Sequence, residues 1–131
     1  MIDHFGLYCR DADASHAFYR ACLAPLGITV IEEQPHLRAV IFMRDAQAPF
    51  WWLGEGSEEW RAQAGRSRLH VGFTATDRAQ VDAFHKAALD TGGTDNGPPG
   101  YRRPDIYSAF AIDPDGNNVE AIWRAPRTEP A

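Results

Sequence analysis

His4-Phe-Gly-Leu-Tyr-Cys-Arg-Asp11, near the start of the chain, is matched by His70-Val-Gly-Phe-Thr-Ala-Thr-Asp77 at a shift of 66 residues. The match runs on through the following stretch, with Ala17 over Ala83, Phe18 over Phe84, Ala21 over Ala87, Leu23 over Leu89 and Gly27 over Gly93. Together with His4/His70, Gly6/Gly72 and Asp11/Asp77 these make eight identities, where unrelated segments of this length share about one or two. The chain therefore reads as two copies of one supersecondary unit, each opening with a histidine.

Working outward, residues 4–10 alternate, with Phe5, Leu7 and Cys9 on one face and His4, Gly6 and Tyr8 on the other, which predicts a strand with one apolar, helix-covered face. Asp11 or Asp13 caps the next segment, a helix in which Ala14, Ala17, Phe18, Ala21 and Cys22 share a spacing that Pro25 and Gly27 end. Strands are expected at 29–34, 37–44 and 49–53, so the unit is βαβββ. After a polar stretch over 54–66 the order repeats: a strand over 69–76, then a helix with Val81, Phe84, Ala88 and Leu89 on one stripe. Residues 92–104, rich in Gly and Pro, are expected to form a loop. Strands at 106–112 and 118–123 flank Asp113-Pro-Asp-Gly116, whose Pro and Gly suit a type I turn. The second copy thus lacks one visible strand, which would have to lie inside that loop.

The alignment resumes at an offset of 68, Phe42 over Phe110 and Asp45 over Asp113, which sets Trp52 opposite Glu120. Two βαβββ modules with helices outside give an α+β fold with a curved mixed sheet. Face parity puts His4, Gly6 and Tyr8, and His70, Gly72 and Thr74, inside the concavity, with Glu120 beside them. Of the four positions around the pseudo-two-fold axis, His4, His70 and Glu120 can bind a metal. Trp52 cannot.

Composition sets limits on function. The 131 residues suffice for one domain with its own core, expected over 1–131, with module one at 2–54, module two at 68–124 and a loose tail at 125–131. A net charge of −5 argues against a nucleic-acid surface. Two cysteines, Cys9 and Cys22, make no disulfide framework, no apolar run nears the roughly 18 residues of a membrane span, and no signal-peptide pattern precedes the first strand. A cytoplasmic protein that inserts in no membrane is expected.

The two βαβββ modules, the histidine opening each, and Asp113-Pro-Asp-Gly-Asn-Asn-Val-Glu120 together resemble the vicinal oxygen chelate superfamily. That group includes glyoxalase I, fosfomycin-resistance enzymes, methylmalonyl-CoA epimerase, extradiol dioxygenases and bleomycin-binding proteins. The resemblance implies that His4, His70 and Glu120 are metal ligands. It also implies that the place of a fourth protein ligand, used by glyoxalase I and the epimerases, falls to Trp52, or to Trp51 if the register slips by one. What remains is similar to the two-histidine, one-carboxylate set of the fosfomycin-resistance enzymes and extradiol dioxygenases. A homodimer is likewise implied, with each cup built either within one chain or from modules of two.

Two imidazoles and a carboxylate suit Fe, Mn, Zn, Ni or Co as a divalent ion and leave positions for two adjacent substrate oxygens. The expected function is accordingly a metal-dependent lyase, isomerase or dioxygenase acting on a small molecule, with Glu120 and Tyr8 or Tyr107 as proton-transfer groups. Phe50 and Trp52 share a strand face and would form an aromatic wall. Tyr101, Arg102 and Arg103, with Tyr107, would hold an anionic substrate from a lid formed by the 97–104 loop. The competing expectation is a metal-free module that sequesters an aromatic or cationic small molecule, as bleomycin-binding proteins do. His16, His36 and His85 fall off the apolar stripes and read as surface residues, and Cys9 as core.

Overall fold

The computed structural model describes residues 1–66 and 68–127. The tail expected at 125–131 lies outside the described residues from 128 onward. Strand β1 (His4–Tyr8) leads into helix α1 (Ala12–Leu23), then β2 (Ile28–Gln34), β3 (Ala39–Arg44) and β4 (Gln47–Gly54). A short helix α2 (Glu58–Gln63) precedes β5 (His70–Thr74), α3 (Arg78–Asp90), β6 (Thr94–Arg103), β7 (Ile106–Ile112) and β8 (Asn118–Arg124). Each module forms one mixed four-stranded sheet, ordered β1-β4-β3-β2 and β5-β8-β7-β6, with the first strand parallel to the last. These are two βαβββ modules of an α+β fold.

Helices α1 and α3 start where an aspartate accepts from a backbone N–H three residues on, Asp11 from Ala14 and Asp77 from Gln80, so Asp11 rather than Asp13 is the first cap. The strand missing from the sequence reading is β6, which lies within 92–104 and pairs with β7. It is an edge strand whose ladder breaks register at three places, and an edge accommodates Pro98 and Pro99 because only one side of the strand must donate. The segment expected to act as a lid is therefore part of the sheet.

A single apolar core joins the modules: Phe18, Leu23, Phe42 and Leu53 of the first pack in one cluster with Phe73, Val81, Phe84 and Ala121 of the second. α1 and α3 lie against each other. Gly93 permits their approach, since a Cβ there would come within 2.6 Å of Phe18 Cε2 and 2.7 Å of the Ala88 carbonyl. The buried stripe of α1 is rotated from the expected one, for Ser15 and Tyr19 are buried while Ala14 and Ala17 are exposed. Both hydroxyls reach across to the second module, Tyr19 Oη donating to Asp113 Oδ2 at 2.6 Å and Ser15 Oγ to Asp115 Oδ2 at 3.3 Å. Burial costs these polar groups little once they are paired. On α3 the stripe is completed by His85, 9 % exposed and 2.9 Å from Asp95 Oδ1, not by Leu89, which is 38 % exposed. His85 is therefore no surface residue, and His16 is half-buried, its Nε2 3.3 Å from the Leu53 carbonyl, while His36 is exposed as expected. Cys9 is fully buried, and burial pushes its thiol up to about 12.

Because the helix-covered faces of both sheets share this core, the opposite face of each sheet is left outside it. Those faces carry the candidate site.

Candidate functional site

Register places each candidate. In the parallel β1–β4 ladder His4 pairs with Phe50, Gly6 with Trp52 and Tyr8 with Gly54, while in β5–β8 His70 pairs with Asn118 and Gly72 with Glu120. Cross-strand partners share a face, so Trp52 and Glu120 hold equivalent positions on the helix-free faces. Trp51 points the other way into the core and is 3 % exposed, which settles the alternative between the two tryptophans. The Phe42/Phe110 alignment, by contrast, is off by one: Phe42 pairs with Trp51 and is buried in the core, whereas Phe110 pairs with Glu120. The hairpins differ in length, Arg44 pairing with Gln47 in one and Ile112 with Asn118 in the other, and a one-residue difference reverses a side chain's face.

On the second module His70 Nε2 lies 3.3 Å from Glu120 Oε1, and His70 Nδ1 lies 3.3 Å from the Asn118 carbonyl. With a metal held between Nε2 and the carboxylate, an Nδ1–H donated to the carbonyl would select the tautomer whose Nε2 lone pair is free, the usual state of a metal-bound histidine. The carboxylate lies over Gly72, where a Cβ would meet Glu120 Oε1 at the ordinary contact distance of 3.6 Å. The Asp113–Asn117 turn positions both strands. Asp113 accepts from Tyr19 Oη, from the backbone N–H groups of Asp115 and Asn117 and from Asn117 Nδ2, while Asn117 Oδ1 accepts from the Leu69 N–H just before His70. One buried carboxylate thus ties together the starts of β5 and β8.

On the first module His4 Nδ1 lies 2.6 Å from Asp3 Oδ1, and its ring stacks on Phe50 at 4.5 Å and 8°. Trp52 lies over Gly6 as Glu120 does over Gly72, with its Nε1 donating to Gln34 Oε1 at 2.9 Å. Tyr8 meets Trp52 edge-on at 5.1 Å and stacks on Trp60 of α2 at 4.9 Å.

His4 and the His70–Glu120 pair do not meet within the chain. Among the described residues no three His, Cys, Asp or Glu side chains come together as a metal would require. The donor types fit a divalent metal, and two of the three converge, but the third stands on the other module. A cavity of about 690 Å³ between β5 and the β3–β4 hairpin has Met43, Phe50, His70 and Gly72 in its wall.

The remaining candidates divide. Arg102 is on the helix-free face, its guanidinium 5.3 Å from the Phe110 ring, which in turn stacks 6.0 Å from His70. Arg102 also donates to the Pro98 and Ser108 carbonyls. Tyr107 instead lies on the helix-covered face, its hydroxyl donating to Asp82 Oδ1 of α3 at 2.7 Å, and its partner Trp123 shares that face with Ala121. Tyr101 is on the same side, its hydroxyl accepting from Arg78 Nη1 at 2.6 Å. Neither tyrosine is on the face of His70 and Glu120, and Arg103 sits exposed at the end of edge strand β6. The sequence reading missed Asp3, Trp60 and Phe110. Asp3 was signalled by its adjacency to His4, and Phe110 by counting alternation back from Glu120 through the hairpin.

The model of the Glyoxalase/Bleomycin resistance protein/Dioxygenase superfamily matches residues 1–121. The chain belongs to this superfamily. A search among curated proteins gives no match. Within the superfamily's solved structures, this chain is similar to a glyoxalase/bleomycin resistance protein from Albidiferax ferrireducens T118, with 31 % identity, a TM-score of 0.76 and coverage of 95 % of this chain and 98 % of that one. It is also similar to a lactoylglutathione lyase from Agrobacterium tumefaciens, at 28 % identity, a TM-score of 0.65 and coverage of 94 % and 92 %. TnmS3, an antibiotic binding protein from Streptomyces sp. CB03234, shares the fold at 20 % identity, a TM-score of 0.66 and coverage of 95 % and 96 %. The fold is thus shared by proteins named as enzymes and proteins named as binders. Among the described residues, no helix is long and apolar enough to cross a membrane.

Proposed function

We propose that this chain is a divalent-metal-dependent enzyme of the lyase, isomerase or dioxygenase type, acting on a small molecule with two adjacent oxygens. The observation that carries the reading is the 3.3 Å approach of His70 Nε2 and Glu120 Oε1, with His70 Nδ1 at the Asn118 carbonyl. His4 completes the set from a second copy, so the working form is a homodimer in which each site takes His4 from one chain and His70 and Glu120 from the other. Three facts support the shared site. His4 is separated from the pair within the chain, both sheets turn their helix-free faces away from the common core, and β1 and β5 are each unpaired on one edge. Ile2 and Leu69, next to those edges, are exposed apolar residues suited to burial between copies.

A bound metal of this kind, whether Fe, Mn, Zn, Ni or Co, supplies Lewis acidity to paired oxygens. The chain supplies the rest. His4 and His70 would hold the metal through Nε2, Glu120 offers Oε2 for proton exchange beside the substrate, and Tyr8 Oη is the second proton-transfer group on that face. Phe50 and Trp52 shield the site from water, and Arg102 over Phe110 stands ready for a substrate anion. The free buried thiols Cys9 and Cys22 suit a reducing compartment, and the proposal places the protein in the cytoplasm with neither nucleic acid nor membrane as a partner.

A second reading is favoured by Trp52, an aromatic where the second module has Glu120: a metal-free module that sequesters a small molecule, TnmS3 of the same fold being named an antibiotic binding protein. Elemental analysis separates the two. Protein reconstituted with Fe(II), Mn(II), Zn(II) or Ni(II) should hold about one metal per chain and lose it in His70→Ala. Wild-type protein that takes up none of these metals would reject the enzyme reading.

A further inference from the structure

The two strand-opening histidines are held differently, and the difference lies in the residue before His4. Asp3 Oδ1 stands 2.6 Å from His4 Nδ1. A carboxylate accepts hydrogen bonds and has none to give, so Nδ1 carries the proton of this contact. On a neutral imidazole that leaves the lone pair on Nε2, which has no hydrogen-bond partner among the described residues. His70 has acceptors at both nitrogens, the Asn118 carbonyl 3.3 Å from Nδ1 and Glu120 Oε1 3.3 Å from Nε2. One ring proton cannot serve both, so no contact of the metal-free chain fixes the His70 tautomer as Asp3 fixes that of His4.

Phe50 of β4 steadies the first arrangement from two sides. Its backbone N–H donates to the Asp3 carbonyl at 3.1 Å, and its ring stacks on the His4 imidazole at 4.5 Å and 8°. One residue thus sets both the Asp3 backbone and the plane of the His4 ring, and the Asp3 side chain decides where the proton sits. We propose that Asp3 is a positioning residue that readies His4 for a metal: its carboxylate holds the proton on Nδ1 and keeps the Nε2 lone pair available before any ion arrives. This deepens the proposed function and rests on it for the metal, but not for the tautomer. A hydrogen-bond acceptor behind a metal-bound histidine is worth roughly 10- to 100-fold in metal affinity.

The test follows the proton and the metal separately, in wild type, Asp3→Ala and Asp3→Asn. Both side chains of the pair are exposed, so neither substitution opens the core. Two-bond proton–nitrogen correlation spectra of metal-free, nitrogen-15-labelled protein, recorded at alkaline pH where imidazoles are neutral, read the tautomer, with His4→Ala assigning the signals. Competition with a chromogenic chelator reads Zn(II) affinity. The expected result is His4 in the Nδ1–H form in wild type, a proton shifted toward Nε2 in Asp3→Ala with Zn(II) affinity down roughly 10- to 100-fold, and an unchanged His70 signal. Asp3→Asn, which keeps an acceptor of the same reach, should recover most of both. A wild-type His4 protonated at Nε2, or an affinity that holds in Asp3→Ala, overturns the proposal. So does an affinity that falls while the tautomer stays put, which assigns Asp3 a charge effect only. A tautomer that shifts in Asp3→Ala in a protein whose wild type takes up no Zn(II), Fe(II), Mn(II) or Ni(II) upholds Asp3 as the residue that places the His4 proton and rejects the metal reading instead.

Discussion

Trp52 and Glu120 occupy the same place in their two modules, Trp52 opposite Gly6 across β1 and β4 and Glu120 opposite Gly72 across β5 and β8. The repeat has kept the backbone position and exchanged a carboxylate for an indole. Trp52→Glu therefore returns a ligand type to the first module. It should tighten metal binding by about tenfold or more in competition titrations, while losing the hydrogen bond to Gln34 and costing about 1–3 kcal/mol of stability. Unchanged metal affinity in a folded Trp52→Glu protein would mean that the two faces do not converge on one ion.

Asp113 is the buried carboxylate on which the second module's geometry depends, and Tyr19 from the first module is one of its donors. Burial and the adjacent Asp113 push the Tyr19 hydroxyl well above its ordinary range, so it stays a neutral donor at any working pH. Tyr19→Phe leaves Asp113 one donor short in the interior and should lower stability by about 1–3 kcal/mol. Urea unfolding should show this as a lower midpoint at unchanged slope.

His16 gives the fold an acid-sensitive point. Burial lowers its imidazole below the ordinary 6.5, outweighing the Leu53 carbonyl that favours the charged form. The unfolded chain thus takes up this proton more readily than the folded one, so the His16 contribution is flat above pH 6.5 and becomes destabilising as pH drops below it. Thermal unfolding at pH 7.5 and 5.5 should show a smaller loss of Tm in His16→Gln than in wild type. An equal loss in both would remove His16 from the account.

Much of this was legible in the sequence, for reasons that differ by element. The eight identities placed His4 and His70 at equivalent strand starts, and the second offset placed Trp52 against Glu120 even though its Phe42/Phe110 anchor was off by one, because strand parity is a local fact. The buried stripe of α1 was not legible. Ser15 and Tyr19 look like surface residues until Asp115 and Asp113, separated from them by 100 and 94 positions, arrive as partners. β6 was hidden by Pro98, Pro99 and its glycines, which an edge strand tolerates and a central one would not. Tyr107 was misplaced for want of one count: its partner Trp123 has the parity of Ala121, not of Glu120. Trp60 lay in a stretch that reads as a polar linker, and only its stacking on Tyr8 distinguishes it.

The claim that matters most is that each metal site draws His4 from one chain and His70 and Glu120 from another. Differently tagged His4→Ala and His70→Ala chains can be co-expressed and the mixed dimer isolated through both tags. A mixed dimer has one site carrying both substitutions and one site carrying neither. The account predicts no bound metal in either homodimer and one metal per mixed dimer. A mixed dimer as empty as its parents would contradict it, because that is the result expected if His4 and His70 serve the same site within one chain or serve no metal at all.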